Sequence, residues 1–315
     1  MPIRSLGNPS VRYNAVMSKT GNPQNVDAGT AATYTGAGDA TRGLFAGHYA
    51  DSNIIDYITI ASAGNASDFG DLTQDTQQAG SCASTTRGVV GGGFAGGNTN
   101  VIQYVTIANT GNATDFGDLA TAQHGVSGLS DTTRGLFCGG TEDSTSMEYI
   151  TIASTGNAND FGDSASAGRN AVTCASQTRG IVAGGNSNQI GYITIQTLGN
   201  TTDFGDLSWD AQYGAGGSNG TRGLLTRGQT DYSVDYITIA STGNGTDFGD
   251  LTNYGKQIQG MCASDTRVVR GGGSSPSTNV MDYATIDTTG NFTDFGNLNT
   301  SGNSKTGFSN GHGGL

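Results

Sequence analysis

Apolar positions in this chain fall in short alternating runs rather than long stripes. In Asp235-Tyr-Ile-Thr-Ile-Ala240, Ile237 and Ile239 lie on one face of an extended strand and Tyr236 and Thr238 on the other. Such runs are β-branched or aromatic and are bounded by turn residues, as in Thr242-Gly-Asn-Gly245. No stretch carries a 3.6-residue apolar stripe long enough for a helix. The predicted elements are strands, four to a unit. In one unit they are a small-residue segment within Ala211–Asn219, the apolar run Thr221–Thr226, the Tyr-Ile-Thr-Ile run, and Thr246-Asp-Phe-Gly-Asp-Leu251.

The unit recurs. Tyr57, Tyr104, Tyr149, Tyr192, Tyr236 and Tyr283 open the same phrase at intervals of 43–47 residues. Arg42, Arg87, Arg134, Arg179, Arg222 and Arg267 keep the same beat in a Thr-Arg phrase. Four short strands per fixed period of this length describe a blade of a β-propeller. Six full blades are predicted at 29–72, 73–119, 120–164, 165–207, 208–251 and 252–298. Two remnants are left. The tail Ser309–Leu315 echoes Ser218–Leu224, with His312-Gly313 in the Thr-Arg slot, and the head Val11–Asn22 echoes Met147–Asn157. Joining them predicts a seventh blade, 299–315 plus 1–28. The expected fold is thus a single all-β domain over 1–315, a seven-bladed β-propeller with velcro closure by its N- and C-terminal strands, which would also cover strand edges.

Composition narrows the function. The net charge is -12, with 14 basic residues, so the basic stripe of a nucleic-acid binder is missing. No apolar run approaches the roughly 18 residues of a membrane span, and Met1–Gly7 has no apolar signal core. Cys82, Cys174 and Cys262 hold one equivalent spot in alternate units, too far apart to pair, since a disulfide needs Cα atoms within about 7 Å. All four cysteines, Cys138 included, are expected to be reduced and buried.

Asp-Phe-Gly at Asp68, Asp115, Asp160, Asp203, Asp247 and Asp294 mimics a kinase metal-binding triplet, but no His-Arg-Asp loop or phosphate-binding loop accompanies it. Calcium would want a denser ligand spacing than the Asp68 and Asp71 pair offers. The first Asp is expected instead to cap a turn and to hold the repeated Arg in a bidentate contact. His48, His124 and His312 lie in no known nucleophile or metal setting. No cofactor, metal or catalytic residue is predicted.

The Gly doublet ending the second strand (Gly139-Gly140), the Tyr of the third (Tyr149) and the aromatic of the fourth (Phe161) resemble a kelch-type propeller repeat. Phe stands in place of the usual Trp, and the doublet is lost at Gly47-His48 and Arg227-Gly228. The wording Tyr-Ile-Thr-Ile, Thr-Gly-Asn, Asp-Phe-Gly-Asp-Leu resembles repeats in virion-associated proteins of marine tailed phages. That likeness implies a structural or host-attachment role, in a virion assembled from chains made in the host cytoplasm.

Function more often sits where blades differ. Five residues after each Asp-Phe-Gly-Asp-Leu, at the lead-in to the first strand, stand Gln77, His124, Arg169, Gln212, Lys256 and Asn303. The spacing is held while the side chain changes, and every one donates a hydrogen bond. Trp209, Tyr213 and Tyr254 are close in sequence. In kelch domains the matching lead-in lies near the central pocket, so these nine residues are the predicted ligand-binding rim, suited to a sugar or an acidic peptide. The expected function is a non-catalytic binding or assembly module contacting a host surface glycan or protein, or another virion subunit. The alternative is a carbohydrate-active enzyme working in the central pocket.

Overall fold

The computed structural model describes residues 41–49, 52–141, 144–165, 168–228, 231–253, 260–274 and 276–311, all within one compact unit, Thr35–Leu315. Among them are 24 strands and no helix. The first three strands are β1 (Arg42–His48), β2 (Ser52–Thr59) and β3 (Ser67–Asp71). The second blade holds β4 (Gly80–Ala83), β5 (Arg87–Gly91), β6 (Val101–Thr106) and β7 (Thr114–Asp118). The third holds β8 (Ser127–Ser130), β9 (Arg134–Cys138), β10 (Ser146–Thr151) and β11 (Asn159–Asp163). The fourth holds β12 (Val172–Ala175), β13 (Arg179–Ala183), β14 (Ser187–Thr194) and β15 (Thr202–Ala211). The fifth holds β16 (Gly216–Ser218), β17 (Arg222–Thr226), β18 (Ser233–Thr238) and β19 (Thr246–Asp250). The sixth holds β20 (Gly260–Ala263), β21 (Arg267–Gly271), β22 (Val280–Thr285) and β23 (Thr293–Asn297), and β24 (Thr306–Ser309) ends the chain of strands.

These strands form six four-stranded antiparallel sheets, each a blade, and the molecule is a β-propeller. The count corrects the expected seven. β24 is a first strand, as its likeness to Ser218–Leu224 predicts, but it pairs with β1, placing Gly43 opposite Ser309 and Ala46 opposite Thr306. The first blade therefore reads β24-β1-β2-β3. The tail supplies the innermost strand that 29–40 was expected to supply, and among the described residues of 299–315 no strand remains over for a separate closing blade. Tyr13 and the rest of the head lie outside the described residues.

The innermost strands β4, β8, β12, β16, β20 and β24 touch in a closed circle. Between blades lie the apolar clusters, built from the alternating faces of the Tyr-Ile-Thr-Ile runs: Ile237 and Ile239 are buried, Tyr236 is half-buried and Thr238 exposed. Each Tyr meets the Phe of its own blade edge to face, as Tyr104 and Phe116 do with centroids 6.0 Å apart. All four cysteines are free and buried.

The repeated phrases act chiefly between blades. Arg87 stacks on Tyr104 of its own blade, 4.2 Å from the ring centroid, and its NH1 donates to the Ile152 carbonyl of the next blade at 2.8 Å. The other five repeated arginines do the same, Arg42 to Ile107 and Arg267 to Ile60 and Ala61 among them. The expected Asp partner is thus replaced by a backbone carbonyl and an aromatic face, and the only ion pairs among the described residues are Arg227–Asp231 and Arg270–Asp282. The Asn of Thr-Gly-Asn ties the preceding blade: Asn112 Oδ1 accepts from Asp71 N–H at 3.1 Å, and Gly111 N–H donates to the Phe69 carbonyl at 2.7 Å. The glycine of Asp-Phe-Gly is required by this approach, because a Cβ at Gly70 would lie 2.5 Å from the Gly111 carbonyl oxygen. Each outer strand edge is so covered by the neighbouring blade's loop.

Candidate functional site

The described lead-in residues are linked from blade to blade through their backbone. One residue beyond each predicted position the backbone turns left-handed: φ is 55° at Gln78, 71° at Gly125, 63° at Asn170, 62° at Tyr213 and 60° at Ser304. The sixth such position follows Lys256, outside the described residues. This turn aims the N–H at one neighbouring blade and the carbonyl at the other. Gln78 N–H donates to Ser304 O (3.1 Å), Gly125 N–H to Gln78 O (2.9 Å), Asn170 N–H to Gly125 O (2.8 Å) and Tyr213 N–H to Asn170 O (3.2 Å). Among the described residues a belt of peptide groups thus runs through five successive positions, from Ser304 to Tyr213. Below it the innermost strands leave a cavity of about 40 Å³ lined by Ala79, Ser81, Val126, Thr173 and their equivalents, room for a few waters at about 10–15 Å³ each. This cavity lies among the innermost strands, apart from the rim residues expected from the sequence. The strands close on one another there through hydroxyls: Ser81 Oγ donates to Gly307 O (2.9 Å) and Thr173 Oγ1 to Gly128 O (2.6 Å).

On the outer side of this belt the predicted donors meet in part. His124 stands edge to face with Phe94, centroids 5.6 Å apart, and its Nδ1–H donates to Asn98 Oδ1 at 2.7 Å. Arg169 packs its stem over Gly125, where a Cβ would lie 2.5 Å from its Cγ, and its NH2 donates to Gln78 Oε1 at 3.1 Å. Burial, followed by the Arg169 charge, holds the His124 pKa below its ordinary value. Phe94, His124, Arg169 and Gln78 therefore form one surface across three blades. Gln77 is 8% exposed and pairs with Phe94 through its backbone. Gln212 bridges to Gly228, and Asn303 gives its carbonyl to Tyr49 N–H at 2.9 Å. Trp209 is half-buried and packs against the core cluster that holds Leu207 and Leu225. Tyr254 and Lys256 lie outside the described residues.

Two features were missed from the sequence. One is the belt itself, since a left-handed turn at Gln78, Asn170, Tyr213 and Ser304 has no common residue type to announce it. The other is a cleft of about 280 Å³ between the second and third blades, with Glu148 in its wall. Its signal was present in the repeats: Ala120 stands where Thr73, Ser208 and Thr252 stand in other units. Among the described residues no group of three or more His, Cys, Asp or Glu side chains is placed to hold a metal ion.

In comparison with known proteins, no family model matches the chain. No curated protein matches it.

Proposed function

We propose that this propeller is a non-catalytic binding or assembly module of a phage particle, contacting a host surface glycan or another virion subunit. A propeller whose innermost strands touch in a closed circle is a rigid support, and what it presents lies on its rim and clefts. One observation carries the reading. The side chains that repeat in every blade are consumed in blade-to-blade contacts, as with Arg87 on Tyr104 and Ile152, whereas the side chains that differ gather beside the belt, where Phe94, His124 and Arg169 meet. The kelch-like phrase and its likeness to phage virion repeats agree with this reading and supply the virion context.

The test is a glycan array run with the intact chain and with H124A/R169A, alongside a glycoside-hydrolysis screen. Stable binding that the double variant weakens at least about tenfold, the loss expected of one or two good hydrogen bonds, supports the proposal. Turnover without stable binding would reject it in favour of an enzyme.

A further inference from the structure

Among the described arginines, all but one have a guanidinium matched by a carbonyl or a carboxylate. The six repeated ones donate to a backbone carbonyl of the next blade, and Arg227 and Arg270 hold Asp231 and Asp282. Arg169 has neither. Its NH2 donates to the neutral amide oxygen of Gln78 at 3.1 Å, and its Nε is buried with no acceptor. Buried polar groups are as a rule hydrogen-bonded, and an unmet charged donor is the costlier exception. Asn170, the next residue, is 1% exposed, and neither its Nδ2 nor its Oδ1 has a partner. Both side chains lie against Gly125: a Cβ there would stand 2.5 Å from Arg169 Cγ, 3.3 Å from its Nε and 2.9 Å from Asn170 Oδ1. At the same turn Gln78, Asn170, Tyr213 and Ser304 carry side chains. The third blade carries none there, and Arg169 lies in that space.

Arg270 shows what one side of a guanidinium takes in this molecule. Its Nε donates to Asp282 Oδ1 at 2.6 Å and its NH2 to Oδ2 at 3.2 Å, so a single carboxylate fills both donors. Arg169 presents the same two donors, but a one-oxygen amide meets NH2 alone. A water could meet Nε as well, yet only a two-oxygen acceptor meets both donors in the plane of the guanidinium. The unmet groups favour such an occupant: Arg169 Nε–H and the two N–H of Asn170 donate, against the one acceptor Asn170 Oδ1. The charge of the site is that of Arg169, since burial and then Arg169 itself hold the His124 pKa below the ordinary 6.5. No described carboxylate pairs with Arg169, although the chain carries a net charge of -12. Beside it stand the edge-to-face rings of Phe94 and His124, an apolar border of the kind that small-molecule sites set next to their few polar groups.

We propose that Arg169 is the carboxylate-binding residue of the rim and that the glycan it takes is acidic, a uronate whose two carboxylate oxygens accept from Nε–H and NH2 and displace Gln78 Oε1. The proposal rests on the glycan-binding reading above and names the class of sugar. It is tested by isothermal titration of the intact chain with free glucuronate and galacturonate. Glucose, galactose and glucuronamide, the last with its carboxylate made a neutral amide, serve as controls. At least one uronate is expected to bind about tenfold or more tightly than the neutral sugars. R169Q keeps the length without the charge and R169K the charge without the two-donor edge, and each is expected to weaken uronate binding about tenfold or more. Q78A removes the competing oxygen and is expected to tighten it about threefold or more. Failure of both uronates to bind overturns the proposal and leaves Nε to an internal water. Equal binding of glucuronate and glucuronamide also overturns it, as does binding that R169Q or R169K retains in full or that Q78A abolishes. Displacement of the uronate by inorganic phosphate but not by acetate overturns the carboxylate assignment in favour of a phosphoryl group. Array binding confined to neutral glycans and weakened by H124A/R169A sinks the carboxylate subsite and keeps the rim. Uronate binding that R169Q removes, with a blank array, keeps the subsite and sinks the surface-glycan reading.

Discussion

Lys305 is 2% exposed, and its ammonium donates only a long bond to Thr300 Oγ1 at 3.4 Å. Burial pushes its pKa down to about 8, with the nearby Asp56 carboxylate acting in the opposite direction. In the unfolded chain the amine holds its proton up to the ordinary 10.5. Between those values unfolding takes up a proton, so stability rises with pH across the window. The four buried thiols, whose pKa burial raises above the ordinary 9.0, act in the opposite direction at the alkaline end, because the unfolded chain loses their protons first. The amine is therefore read from a difference: the stability of the native chain relative to K305M, from denaturant midpoints, should rise between about pH 8 and 10.5, and a difference that does not change with pH would count against a buried amine. The sixth blade takes another route to a buried charge. Arg270 and Asp282, both 0% exposed, pair through Nε and Oδ1 at 2.6 Å in the cross-strand position that Val90 and Gln103 hold in the second blade. There the carboxylate is matched by a full cation as well as by Thr252.

Between neighbouring strands, blades lock by size. The middle residue of each innermost strand presses on the residue after the repeated Arg of the next blade. Phe308 meets Gly88, Cys82 meets Gly135, Leu129 meets Gly180, Cys174 meets Gly223 and Cys262 meets Gly43. Where the pressing residue is Gly217, the receiving position is Val268 instead of glycine. Volume is conserved across each interface, as close packing demands. G135A should therefore overpack against Cys82 Sγ and cost about 1–3 kcal/mol. C82A/G135A should recover most of that loss, because one alanine methyl then occupies the space of the thiol. A urea double-mutant cycle measures the coupling, and additive losses would refute the interlock. The cysteines recur in alternate blades for this packing reason, and burial raises every one of their thiol pKa values, which makes them poor nucleophiles.

The circle of six blades depends on β24. It supplies the first blade's innermost strand, and Ser304 just before it accepts the belt hydrogen bond from Gln78. A chain ending at Thr300 should expose the inner edge of β1 and open the belt at one point. Light scattering after gel filtration is expected to show self-association through that edge, and calorimetry a broadened, lower transition. A monomer with an unchanged melting profile would show that β24 is dispensable.

The strand content, the blade, its period and the inward face of each run were legible from the residues, because side-chain alternation and turn chemistry are local and six copies repeat them. Blade number was not legible. Both 29–40 and the tail carry a first-strand pattern, and a pattern says what kind of strand a segment makes without saying which sheet it joins; backbone pairing between Gly43 and Ser309 made that choice. The partner of the repeated Arg was misjudged for a similar reason, since the nearest carboxylate in sequence lies in its own blade while the carbonyl it reaches lies in the next. The spacing of Gln77 through Asn303 was legible and the kelch resemblance implied their place near the axis, but the backbone links that five left-handed turns make among the described positions were not, because such links are a property of how blades sit side by side.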